Sequence, residues 1–297
     1  QAWLKGDHAA GYARAQQMLD TPGLSYEGFS VALALQVRCA NELGWNKALA
    51  AELARLLPLY EGQPEADLLR HELMQCQRHT GNLAGAWDHA KSLGLVQHWW
   101  IAGPFANERS QGFEDVQEPE ENLDLDAAYN GKDGQRVTWR KLPATPRDGV
   151  IDLAAMLRPR REATAFLACA LHVPADASPT VSLASTDQVR LWRLKREVRV
   201  HGEPVEPDFP LGVPLVDQDY ERPLGFDQGV AESPLGPGWN VLVLKAGVGE
   251  GDWKLALRCP GARQATDEAD LRKALAETAP LVHNRSLDRT PAPAGFR

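Results

Sequence analysis

The stretch HWWIAGPFANERSQGF, His98–Phe113, marks a change of texture in the chain. Before it, Ala and Leu dominate and β-branched residues are few, which favours helix. After it, Pro and Gly are frequent and short alternating runs replace long ones, which favours strands. The stretch is therefore a seam between a helical part, residues 1–95, and a strand-rich part, residues 96–262; a C-terminal helix and linker follow over 263–297. Trp99, Trp100, Ile101 and Phe105 are expected to form the first edge strand and to clamp the second part onto the last helix. Burying each large aromatic is worth ~1.5–3 kcal/mol. The alternative reading of these rings is an aromatic platform for a sugar.

The helical part contains a repeat. GDHAAGYARAQQML from Gly6, GWNKALAAELARLL from Gly44 and GNLAGAWDHAKSLG from Gly81 align, with their glycines 38 and 37 residues apart. Small or apolar residues stand five positions on (Gly11, Leu49, Ala86), nine on (Ala15, Leu53, Ala90) and twelve on (Met18, Leu56, Leu93), one helical face in each case. The preceding helices are expected over 26–43 and 64–79. The pattern resembles the second helix of a tetratricopeptide (TPR) repeat, with a period longer than the usual ~34. Only QAWLK precedes Gly6, so the first repeat has almost no first helix. The chain is expected to be a piece of a longer protein cut inside a repeat, with a short N-terminal cap as the alternative.

In the second part, strands are expected at 136–142, 149–157 (ending in a helical turn), 163–173, 180–186, 188–194, 196–200, 239–247 and 252–259. With no long helices between them, they argue for an antiparallel β-sandwich or jelly roll, and for an α+β multidomain chain as a whole. TVSLASTDQVRLWRLKREV and LGPGWNVLVLKAGVGEGDWKLALRC resemble the strand pairs of galactose-binding-like jelly rolls. The Asn-Gly that usually turns the hairpin after the tryptophan strand is replaced by Leu194-Lys195. A wider likeness runs over about 97–260. Trp99, Gly103, Pro104, Phe105, Gly112, Phe113, Pro119, Glu120, Trp139 and Arg140 match a segment of large bacterial transglutaminase-like repeat proteins, between their helical repeats and a jelly roll. That resemblance implies an accessory region of a periplasmic or secreted protein, with the catalytic domain beyond Arg297.

Chemistry is hard to place. A net charge of -8 leaves no basic stripe for phosphates, so nucleic acid is not an expected partner. The run Arg190, Arg193, Lys195, Arg196, Arg199 is expected to be the solvated side of a hairpin. No apolar segment reaches the ~18 residues of a membrane span. Cys39, Cys76, Cys169 and Cys259 form no CxxC pair, and dispersed thiols usually stay free; whether Cys169 and Cys259 pair is left open. Cys169 and His172 fall on opposite faces of one strand and make no dyad. No Gly-x-Ser-x-Gly occurs, and GKDGQRV lacks the Lys-Ser/Thr of a phosphate loop. His71, His79 and His89 lack i,i+4 spacing. The acidic residues Glu114, Asp115, Glu118, Glu120, Glu121, Asp124 and Asp126 offer oxygens for calcium without EF-hand order, and Asp217, Asp219 and Asp227 likewise.

The expected protein is thus a noncatalytic scaffold or protein-interaction region of a larger extracytoplasmic bacterial protein, with no cofactor, catalytic or metal residue. Its partner is another protein or neighbouring domains of the same polypeptide. The alternative is a carbohydrate-binding module with its site at the loop end of the sandwich. Trp99, Trp100, Phe105, Trp192 and Trp239 are the candidate ligand or interface residues. A closing helix is expected over 267–282, capped by Thr266.

Overall fold

The computed structural model of the chain describes residues 6–121, 123–143, 148–194, 199–200, 203–204, 211, 213–231 and 234–278. Helices α1 (His8–Leu19), α2 (Tyr26–Leu43), α3 (Asn46–Leu56), α4 (Pro64–His79) and α5 (Leu83–Ser92) come first, and α2 and α4 occupy the spans read from the sequence. The repeat glycines punctuate them. Gly44 and Gly81 have φ of 67° and 81°, a left-handed conformation that ends one helix and frees the next. The amide of Trp45 then returns to the Ala40 carbonyl, and that of Asn82 to Gln77, each at 2.8 Å. The aligned small and apolar positions are all buried except Met18, which is half-buried. They pack α1 on α2, α3 on α4 and α4 on α5. Phe29, Leu33, Leu49, Leu53 and Leu69 form the centre of this helical core.

Antiparallel sheets follow. The strands are β1 (Trp100–Ala106), β2 (Ala128–Asn130), β3 (Arg136–Thr138), β4 (Arg140–Lys141), β5 (Ile151–Asp152), β6 (Ala163–Val173), β7 (Ser182–Ser185), β8 (Val189–Arg193), β9 (Arg199–Val200), β10 (Glu203–Pro204), β11 (Val216–Gln218), β12 (Gly229–Val230), β13 (Gly238–Val248), β14 (Lys254–Arg258) and β15 (Arg263–Gln264). The larger sheet runs β11-β8-β13-β6-β1-β4, with β15 also on β6; the smaller runs β12-β7-β14-β5. Between the sheets lies a core that includes Leu167, Leu171, Leu191, Leu244, Trp253 and Leu255. Short helices α6 (Gln111–Glu114), α7 (Glu118–Glu121) and α8 (Leu153–Met156), and the closing α9 (Glu268–Thr278), complete the chain.

The larger sheet is covered on both faces, because its two central strands are apolar at both parities. Leu167, Cys169 and Leu171 of β6 point to the sandwich core, while Phe166, Ala168 and Ala170 point away from it. The outer side is covered by Tyr129, Val137 and Trp139 and by Leu271 and Ala274 of α9. The α6–α7 segment closes the rest. Gly112 allows its sharp return, since a Cβ there would lie 1.7 Å from the Ala106 carbonyl oxygen. Phe113 is fully buried beneath it. Lys245, itself 0% exposed, donates to the Glu120 carboxylate at 2.6 Å and to the Asp115 carbonyl at 2.7 Å. Burial holds the Lys245 pKa below its usual value, and Glu120 opposes that shift.

Several expectations are corrected here. β1 is not an edge strand: β6 and β4 flank it on its two sides. Trp99 enters the core between the sheets and Trp100 and Phe105 the outer one, so they do not form the clamp on α5. The strand expected over 136–142 bends at Trp139, so that β3 pairs with β2 and β4 with β1. Arg190 is not solvated. It is 4% exposed, its guanidinium lies 4.7 Å from the Phe113 ring centroid, and its Nε donates to Asp217 at 3.0 Å. The cap of α9 is Asp267, whose carboxylate accepts from the Asp270 amide at 2.9 Å. Residues 279–282 of the expected helix, Lys195 of the Leu194-Lys195 position, and residues 196–198 of the strand expected over 196–200 lie outside the described residues.

Two predictions follow from the buried groups. Replacing Glu120 with Ala strands an ammonium in the outer core and is expected to cost about 3–5 kcal/mol in urea unfolding at pH 7. The double variant Glu120→Leu with Lys245→Met should recover most of that loss, because no charge then remains unpaired. The second prediction concerns alkaline pH. Cys76 and Cys259 are pushed up to about 11 by burial, and burial drives Cys169 well above its usual value. Thiols of the unfolded chain ionise near 8.5. The stability these thiols contribute is therefore complete below that pH and lost as pH rises toward 11. Tyr12 and Tyr129, also raised by burial, act in the same sense, and Lys245 alone among the buried groups named here opposes them. Urea midpoints should fall steadily from pH 8 to pH 10.5; a midpoint that climbs over that range would contradict this.

Candidate functional site

The two parts of the chain meet along the smaller sheet. Past α5 the backbone runs beside β14, where the Cys259 amide donates to the Gly94 carbonyl at 2.9 Å and the Val96 amide to the Leu257 carbonyl at 2.8 Å. Leu95 thereby faces Arg258 in one antiparallel bridge. The Gln264 side chain spans the same segment, donating to the Leu95 carbonyl and accepting from the Gln97 amide, each at 2.8 Å. Leu93 and Leu95 pack with Met74, Ala86 and Ala90, and Trp87 and Phe226 lie against them. This cluster, and not the Trp99–Phe105 aromatics, is the apolar seam.

Arg258 ties three elements together. Its Nη1 donates to Asp67 of α4 at 2.8 Å, its Nε donates to Asp227 at 2.6 Å, and its Nη2 reaches the second oxygen of Asp227. Burial alone would lower the guanidinium pKa, but the two carboxylates outweigh it and hold it above its usual value. The Phe226 ring lies 4.9 Å from the guanidinium and stacks on His71 of α4 at 4.5 Å. Further along α4, Arg78 donates to Asp148 at 2.6 Å. Asp227 and Phe226 belong to a crossing segment that leaves β11 on the larger sheet and joins β12 on the smaller one.

Between α4, this crossing segment and the outer face of the smaller sheet lies a cleft of about 230 Å³. Its floor is Ala184 and Ala256, direct cross-strand neighbours, flanked by Ser182 and Arg258. Leu224, Gly225 and Phe226 roof it, His71 and Gln75 wall one side, and Asp148 and Val150 the other. The imidazole Nδ1 of His71 lies 3.0 Å from the Glu72 carboxylate. The charges of Arg258, Asp227 and Asp148 are matched by opposite charges within the protein.

The candidate residues read from the sequence are not brought to one place. Trp99 lies between the sheets, its Nε1 donating to the Val96 carbonyl at 3.0 Å. Trp100, Phe105 and Trp239 lie in the outer core; Trp239 meets His172 edge-on at 5.2 Å and carries the Arg263 guanidinium at 4.9 Å. Trp192 is fully buried beside Arg190. All four cysteines are buried and free. Five of the ten acidic candidates face cations: Glu114 and Asp217 meet Arg190, Glu120 meets Lys245, Asp126 meets Arg272 and Asp227 meets Arg258. Among the described residues, no group of three or more His, Cys, Asp or Glu could hold a metal ion. No described helix is long and apolar enough to cross a membrane.

No protein-family model matches the chain, and no curated protein does. Among solved structures, a β-glucosidase from Kluyveromyces marxianus in complex with glucose is similar over 60% of this chain at 13% identity, with a TM-score of 0.22. This chain spans 17% of that one, and a likeness so slight carries no argument.

The junction gives a third prediction. Arg258→Ala leaves Asp227 without a cation and Asp67 with Arg70 alone, and should cost on the order of 3 kcal/mol. Hydrogen exchange should accelerate at the Val96 and Cys259 amides. Arg258→Lys should recover only part of the loss, since an ammonium cannot make the two-pronged contact with Asp227 while reaching Asp67.

Proposed function

We propose that this chain is a noncatalytic scaffold and protein-interaction region of a larger extracytoplasmic bacterial protein. In this reading the helices are TPR-like hairpins, the sandwich is a galactose-binding-like jelly roll, and the partners are neighbouring domains of the same polypeptide. One observation carries it: the second part buries every one of its indoles, its exposed large side chains being Val116, Val213, Tyr220 and Val230, whereas the helical part leaves Trp45 and several aliphatic side chains open to solvent. Trp99, Trp100, Trp139, Trp192, Trp239 and Trp253 of the second part are all buried. The helical part presents Val31, Leu59 and Leu83 to solvent, each more than half exposed, together with Tyr26 and Trp45. Apolar side chains exposed on a helical scaffold favour contact with protein. Indoles sealed in a core offer a sugar no face to stack on, which leaves Tyr220 as an exposed ring of the second part.

Two arms test the reading. Cross-linking and mass spectrometry on the full polypeptide should find links from α2 and the α3–α4 loop to segments outside these 297 residues. Val31→Asp with Leu59→Asp should abolish those links while shifting stability by less than about 0.5 kcal/mol, as exposed sites do. A glycan array probed with the chain should give no saturable signal. Saturable glycan binding, lost on substitution of a loop residue of the sandwich, would establish the carbohydrate-binding alternative instead.

A further inference from the structure

We infer that the cleft between α4 and the smaller sheet is a binding site for a small neutral aromatic molecule of one or two fused rings. Three features carry this, none of which depends on the scaffold reading. The first is that the space is held open by built struts. Arg258 spans from β14 to Asp67 on α4 and Asp227 on the roof, and Arg78 spans from α4 to Asp148. The elements around the cleft are thus pinned at fixed separation, so the space is preformed.

The second feature is the shape and size of the floor. Ala184 and Ala256 sit side by side on a face of the sheet opposite the sandwich core. Two methyl groups on a pleated sheet give a flat apolar surface, and any longer side chain at either position would occupy the cleft without disturbing that core. At about 230 Å³ the space exceeds the ~150 Å³ of an apolar cavity known to admit benzene. It is small for a drug-sized ligand, whose sites begin near ~300 Å³.

The third is charge. The ionic groups on the lining already face opposite charges, so a charged ligand would bring an unmatched one into a half-enclosed apolar space. Ser182 offers a hydroxyl to orient a single polar group on the ring, while the Gln75 amide is already turned to Arg78 and His71.

Indole is the probe, titrated into the 297-residue chain labelled with ¹³C at alanine methyls. Saturable binding is expected with a dissociation constant below about 1 mM, the range reachable by nine heavy atoms. Nuclear Overhauser contacts should run from the ring protons to the methyls of Ala184 and Ala256. Ala256→Leu should weaken binding at least tenfold. Tryptamine and indole-3-acetate, which add one charge of either sign, should bind at least tenfold more weakly than indole. The inference is overturned if indole gives no saturable shift. It is overturned equally by contacts that map to other methyls, or by a charged analogue that binds as well as indole. The methyl contacts are read on the unsubstituted chain, so they decide the matter even if Ala256→Leu does not fold.

Discussion

The pairing of β6 with β13 sets the terms for the rest of the molecule. Eleven residues of each strand, Ala163–Val173 and Gly238–Val248, run opposite one another without a break in register. Nearly every side chain along both strands is buried. A ladder that is apolar on both sides has to be covered on both sides, or its outer surface would be exposed to water. The smaller sheet provides one cover. The other is assembled piecemeal from the β2–β3 hairpin, the α6–α7 segment and α9. The elements that surround the ladder look irregular because they follow the shape of a surface that is itself regular.

Cations fix that irregular cover and the junction alike. Lys245 emerges from the centre of the ladder and holds α7 through Glu120; Arg190 lies under Phe113 and reaches Asp217. Arg258, at the end of β14, does the same for α4 and the crossing segment. An ion pair of this sort adds little net stability over an apolar pair of equal volume, since both charges must be desolvated. Its geometry is specific, however. A misplaced loop would leave a buried charge without a partner, so the ion pairs select one arrangement of loops that have little regular structure of their own.

This division explains what could be read from the sequence. The glycines 44 and 81 that open the repeats, the helices over 26–43 and 64–79, and the strand at 163–173 are local patterns, and period and turn chemistry reveal them; that this strand is apolar on both sides emerges only from its burial. The position of β1 in the sheet was not legible, because pairing order depends on contacts far apart in sequence. Arg190 read as a solvated charge because it stands in a basic run, yet its partners Asp217 and Phe113 lie 27 and 77 residues away. The cleft left still less of a mark. Its floor is two alanines on different strands and its wall is part of a helix, and nothing about Ala184 or Ala256 within its own run sets it apart. The one available hint was Arg258, a charge at the end of an apolar run, whose contact with Asp67 spans 191 residues.

The single bridge between Leu95 and Arg258 has a mechanical consequence. The bonds from Val96 to Leu257 and from Cys259 to Gly94 lie across the direction in which the chain travels from α5 toward β1. Because the two segments run antiparallel, tension from the N-terminal side enters at Gly94 and tension from the C-terminal side at Cys259, the same end of the bridge, so the Cys259–Gly94 bond opens first and the Val96–Leu257 bond after it. The Arg258 contacts lie in parallel with them. A polypeptide pulled from its two ends would therefore part this stub of sheet bond by bond, with the Arg258 ion pairs as a remaining tie, and the helices would come away before the eleven-pair β6–β13 ladder felt the load.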